Sequence, residues 1–143
     1  MSTDTAQEAS EVMLGTFSVN STLATVLFDS GASHSFISQA FVRVHSIPLR
    51  AMKNPILVNS PGGTIPASYC CPSASITLRG VDFNASLIVL RTAGIDVILG
   101  MDWMKKHRAV IQCQEKAVVL TTSKGDRINV DVAVREQQAA TVN

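Results

Sequence analysis

The sequence predicts an all-β domain with two short helices. Three observations carry that prediction. Almost every apolar run is short and stops at turn-forming residues. Apolar residues make up 46% of the chain but aromatics only 5%, so Val, Ile, Leu and Ala must build the core, and the branched ones favour strands. Near the C-terminus, Ile128, Val130, Val132 and Val134 alternate with Arg127, Asn129, Asp131 and Ala133, a period of two that suits a strand with one buried face.

The elements follow in chain order. Val12–Val19 and Leu23–Phe28 flank Asn20-Ser21-Thr22 and read as a hairpin. Phe36, Ile37, Ala40, Phe41 and Val44 recur at helical spacings, with Ser33 or Ser35 as the N-cap. Ile56–Asn59 and Thr64–Tyr69 flank Ser60-Pro61-Gly62-Gly63, a second hairpin with a glycine tip. Ala74–Leu78 and Phe83–Leu90 flank Arg79-Gly80-Val81-Asp82. Ile95–Leu99 is a short apolar strand, and Asp102 is placed to cap a helix through Trp103, Met104 and Lys105. Ala109–Cys113 and Ala117–Thr121 flank Gln114-Glu115-Lys116. Lys124-Gly125-Asp126 turns the chain into the last strand. No internal repeat is visible.

A length of 143 residues suits one domain, read here as residues 11–135 with polar tails over 1–10 and 136–143. Such a chain can bury a core without staples. The formal net charge of +1 marks no nucleic-acid partner. No apolar run reaches the ~18 residues of a membrane span. The N-terminus lacks the features of a secretion signal. Cys70, Cys71 and Cys113 are odd in number and two are adjacent, so a reducing compartment such as the cytoplasm is expected.

Asp29-Ser30-Gly31-Ala32 is the stretch that points to chemistry. It ends the run Ala24-Thr25-Val26-Leu27-Phe28, which is apolar apart from Thr25, where a carboxylate is costly unless something shares its charge or proton. Gly31 lets a ligand backbone approach. Two further pieces are less telling alone. Val97-Ile98-Leu99-Gly100 is a strand ending in a glycine that permits a close crossing. Pro61-Gly62-Gly63 is a tip that could move as a lid.

Taken together, the run from Leu27 to Ile37, the Gly62-Gly63 hairpin and the run from Ile98 to Met104 resemble the retroviral-type aspartic proteases, or retropepsins, particularly those of gypsy-class plant retrotransposons. The resemblance covers about residues 12–122. It implies a closed, barrel-like fold of the acid-protease type and an active site shared by two identical chains. Asp29 would be catalytic. Ser30 would bridge the two loops, while Gly31, Ala32 and Ser33 would line the substrate backbone. Pro61, Gly62, Gly63, Thr64 and Ile65 would form a flap, and Ile98, Leu99 and Gly100 would support the loop. The partners implied are a second copy and a polypeptide, the retrotransposon's own polyprotein, cut in the cytoplasm or inside a virus-like particle. No cofactor, metal, nucleic acid or membrane is expected. The pattern departs from many retroviral members at three places: Ser30 replaces Thr, Ser33 replaces Asp, and Met101 replaces Arg.

Apolar walls from Ala32, Val58, Ile65 and Ile98 would favour apolar residues around the scissile bond. Other classes fit less well. A nucleophile elbow would want Gly where Ser35 stands. The cysteines read as small core residues, and no His/Cys spacing matches zinc; His107 reads as a charge partner at a helix end. A protease-like dimerising or peptide-binding module without hydrolysis is the remaining alternative.

Overall fold

The computed structural model describes residues 12–60 and 63–135. The tails expected over 1–10 and 136–143, and the hairpin tip Pro61-Gly62, lie outside the described residues. The strands are β1 (Val12–Val19), β2 (Thr22–Phe28), β3 (Phe36–Ser38), β4 (Arg50–Ser60), β5 (Gly63–Leu78), β6 (Val81–Leu90), β7 (Val97–Leu99), β8 (Val110–Gln112), β9 (Ala117–Thr121), β10 (Arg127–Asp131) and β11 (Ala133–Arg135). The helices are α1 (Gln39–His45) and α2 (Met101–Lys106).

The expected hairpins form. The β1–β2 turn is tighter than expected: Asn20 and Ser21 alone turn the chain, with φ of 50° and 67°. Arg79 and Gly80 do the same between β5 and β6, with φ of 50° and 78°. Both central residues at positive φ match the right-handed twist of the flanking strands. The segments read as Thr64–Tyr69 and Ala74–Leu78 are one long strand, β5. Its register shifts between Cys71 and Ala74, at Pro72, where a ladder hydrogen bond cannot be donated. Pro55 lies within a similar irregularity of β4, an edge strand that tolerates it.

The main sheet runs β11-β1-β2-β7-β3-β6-β5-β4. It curls until β1 also meets β5 through Ser18↔Thr77 and Val19↔Ile76. The architecture is of the expected all-β class, with the barrel joined at that corner by two residue pairs rather than sealed along its length. Strand β7 lies between β2 and β3, parallel to β2 and antiparallel to β3. The chain leaving β2 must therefore pass over the end of β7 to reach β3.

One continuous core fills the curl. Phe28, Met13, Ile37, Ile76, Leu78, Leu87, Leu99, Val97 and Val118 are fully enclosed. Each such side chain contributes about 1.5–3 kcal/mol of burial. The Phe28 ring meets Phe17 edge-on and Trp103 at a tilt, both with centroids 6.0 Å apart. Trp103 Nε1 is buried and meets no acceptor among the described residues. A smaller cluster of Phe36, Ala67 and Ile88, flanked by Ile56, Val58, Leu90 and Ile98, lies on the other side of β3.

Three expectations need correction. Phe36 and Ile37 belong to β3, because β6 and β7 capture their backbone. Helix α1 starts later, and its cap is Ser38, whose Oγ accepts from Phe41 N at 3.3 Å, not Ser33 or Ser35. It buries Phe41 and Val42, leaving Ala40 and Val44 exposed. Helix α2 has Gly100 rather than Asp102 at its N-cap, and Asp102 sits inside its first turn. The alternating segment splits at Val132. Strand β10 pairs with β9 in a separate sheet ordered β10-β9-β8, and β11 pairs with β1. Its apolar face still completes this chain's own core, through Val130 with Ile128, Val132 and Val134 against it.

His107 is likewise not a surface charge partner. Its ring lies 4.8 Å from that of Trp103 and 5.2 Å from that of Phe83, and its Nε2 lies 2.9 Å from the Asn84 carbonyl oxygen. Burial lowers its pKa against the raising effect of that carbonyl, and neighbouring Lys106 lowers it further. The neutral ring, donating from Nε2, is the form the fold prefers. Its contribution is present above the ordinary histidine value of 6.5 and is lost as pH falls through the lower folded value. The melting temperature should therefore drop more steeply between about pH 7 and pH 5 in the wild type than in His107→Gln, which keeps a donor but cannot titrate. Thermal unfolding of both chains across that range checks this.

Candidate active site

The loop from Asp29 to Ser35 carries the motif, and the end of β7 holds it. Asp29 N donates to Leu99 O at 2.9 Å, extending the β2–β7 pairing by one bond. Ala32 N then donates to Asp29 O at 3.1 Å, closing a tight turn. Inside the turn, Gly31 N donates to Asp29 Oδ1 at 2.9 Å, which orients the carboxylate. From beneath, Met101 N donates to Ala32 O at 2.7 Å.

The crossing is close. A Cβ on Gly100 would lie 2.6 Å from Ala32 O and would run into His34 O. The need for glycine here is the lack of space: its φ of −98° is open to any residue. Ser35 ties the same corner. It is 1% exposed, its Oγ accepts from Gly100 N at 2.9 Å, and its hydroxyl donates to Asp102 Oδ1 at 2.7 Å. The same Asp102 oxygen accepts from Trp103 N at 2.7 Å. A second carboxylate, Asp96, fastens the start of β7 by accepting from Thr25 N at 2.8 Å. Neither Ser35 nor Asp96 was singled out by sequence reasoning as a support. Ser35 looked like a cap because its partners, 65 and 67 residues away, have no local signature.

The remaining loop atoms face outward. Asp29 is half-buried, and Ser30, Gly31, Ser33 and His34 are exposed. Among the described residues no cation pairs with Asp29. The carboxylate opens on a cleft of about 630 Å³. Gly31, Ala32 and Ser33 line it, as do Val58 and Ile65 from β4 and β5 and Ile98 from β7. Phe36, Ile56 and Leu90 add apolar wall. Leu99 and Gly100 lie behind the loop, both buried. Ser60 pairs with Gly63 and Asn59 with Thr64 at the top of the β4–β5 hairpin, which leans over the cleft through Ile65. Gly63 has a φ of 122°, a conformation few other residues adopt. Pro61 and Gly62 lie outside the described residues.

Among the described residues the alternative chemistries find no site. Ser33 Oγ and His34 Nδ1 are 3.1 Å apart, but both side chains are exposed and among the described residues no carboxylate orients the ring. Burial pushes the Cys71 thiol's pKa up, and neighbouring Cys70 pushes it the same way, the opposite of what a nucleophilic thiolate needs. No group of three or more His, Cys, Asp or Glu side chains gathers among the described residues.

The supports can be tested apart from activity. Ser35→Ala leaves Gly100 N buried without its acceptor and should cost about 1–3 kcal/mol in urea unfolding, whereas Ser33→Ala should cost under about 0.5 kcal/mol. Gly100→Ala should cost about 1–3 kcal/mol or more, because backbone oxygens and not a flexible side chain meet the new methyl group.

Comparison with known proteins agrees with this geometry. No curated protein matches the chain. Among solved structures, the retroviral protease-like domain of Ddi1 from Leishmania major superposes with a TM-score of 0.65 at 19% identity, covering 85% of this chain and 94% of that one. EIAV protease complexed with the inhibitor HBY-793 superposes with a TM-score of 0.54 at 20% identity, covering 65% of this chain and 85% of that one. At these identities both likenesses speak for the fold. The family described as retroviral aspartyl protease matches residues 1–126, and the chain belongs to that family.

Proposed function

We propose that this chain is a homodimeric aspartic endopeptidase that cuts the polyprotein of a retrotransposon, of the gypsy class found in plants. One observation carries the proposal. Asp29, in the single Asp-Ser-Gly of the sequence, stands half-buried at a cleft with apolar walls, and among the described residues no cation pairs with it. The motif runs quoted above support the plant retrotransposon origin, and the reduced-cysteine reading supports a cytoplasmic setting.

A lone carboxylate is a weak peptidase. Two carboxyls about 3 Å apart cannot both ionise and share one proton. A second copy supplies the missing Asp29, with the exposed Ser30 hydroxyls meeting across the two loops. The ionised member takes a proton from a water lying between them, and the water oxygen attacks the scissile carbonyl carbon. The protonated member donates to the carbonyl oxygen as it gains charge. The tetrahedral intermediate then collapses, the C–N bond breaks, and the amine leaves with a proton from the dyad. The two titrations belong to the pair, so the pH–rate profile should be bell-shaped with an acidic to near-neutral optimum.

Cleavage of a peptide with an apolar centre should fall at least about a thousandfold in Asp29→Asn, as for loss of a catalytic acid–base group. Asn keeps the oxygen that accepts from Gly31 N, so the fold should survive. Specific activity should also fall on dilution through the dimer dissociation constant. Peptide binding without any Asp29-dependent cleavage, in chains shown to be dimeric, would leave a peptide-binding module in place of the enzyme.

A further inference from the structure

We infer that Arg91 selects peptides bearing an acidic side chain, an Asp or Glu carboxylate seated at the outer end of the cleft; this rests on the peptidase reading above. The cleft is mainly apolar, and the ionisable side chains lining it are Asp29, His34 and Arg91. Arg91 is the only one of them that is always cationic. His34 belongs to the same loop as Asp29. Arg91 belongs to a different segment, directly after β6. Together with Ile65 and Leu90 it also borders a second hollow of about 260 Å³, formed with Pro66, Tyr69 and Gln39, which Asp29 does not line. Arg91 therefore stands where the cleft holding Asp29 adjoins the second hollow.

The guanidinium is aimed and still available. Arg91 follows β6 directly, and its Nε donates to Gln39 Oε1, on the first residue of α1, at 3.4 Å. That bond engages one of five N–H donors and leaves both terminal nitrogens open. Among the described residues no carboxylate pairs with Arg91. A planar, weakly hydrated fork of this kind takes a carboxylate in two parallel bonds and repels a cation. Because Arg91 is exposed, the expected gain is modest and salt-sensitive.

The test uses binding, so that it does not depend on turnover. The full-length Asp29→Asn chain is titrated at about pH 6, where a Glu side chain is ionised. The probes are peptides with one apolar centre and a single Glu, Gln or Lys scanned outward through successive positions. At one outer position Glu should bind about fivefold more tightly than Gln, the upper end for an exposed ion pair, and the ratio should shrink at high salt. Arg91→Gln should bring the ratio to one, and Arg91→Glu should reverse it in favour of Lys. A ratio near one at every position, or a Glu preference that survives in Arg91→Gln, overturns the inference and leaves the peptidase reading standing. No binding of any peptide removes both.

Discussion

Gly100 lies where the Asp29–Ser35 loop passes over the end of β7, and the rest of the site depends on that contact. The loop exists because β7 is inserted between β2 and β3, so the chain has to step across it. Two backbone carbonyls, those of Ala32 and His34, then sit against the α-carbon of residue 100. At such a distance the loop can be held by the backbone groups of the β7–α2 junction. Leu99 O accepts from Asp29 N, Met101 N donates to Ala32 O, and Gly100 N donates to Ser35 Oγ. A side chain at position 100 would lift the loop and weaken all three bonds together, since hydrogen bonds lose strength quickly with distance and angle.

The bonding of the loop is one-sided. Its inward polar groups are satisfied within the chain, and Ser35, the most buried of its side chains, has both an acceptor and a donor role filled. Of its outward groups, the Asp29 carboxylate lines the cleft and the neighbouring Ser30 is exposed. That division suits a half-site. On the proposed dimeric reading, a carboxylate that shares a proton with a twin has to be fixed in place yet kept free of cations. Phe36 of the smaller apolar cluster, with Ile56, Val58, Leu90 and Ile98 packed against that cluster, also walls the cleft on which the carboxylate opens.

Local chemistry made much of this legible. Asn20-Ser21 and Arg79-Gly80 sit between alternating apolar runs, and turns of that kind are decided by two residues and their immediate neighbours. The alternation of residues 127–134 correctly placed Val130 inward, because side-chain direction in a strand depends only on parity. The errors have one origin. Phe36 and Ile37 carry helical spacing, but strand neighbours from distant segments claim their backbone. Asp102 resembles a cap until Ser35 is brought to it from 67 residues away. Long-range partners override a weak local preference.

Neighbouring residues or a simple count already specify the fold class, the hairpins, the Asp29-Ser30-Gly31 carboxylate at the end of an apolar run and the single copy of that motif. What stands around that carboxylate is a matter of long-range packing. The insertion of β7, the Ser35–Asp102 tie and the placement of Arg91 on the wall of the cleft each join residues tens of positions apart. No periodicity or turn rule reaches across such separations, because the contacts form only when the sheet curls and brings those segments together.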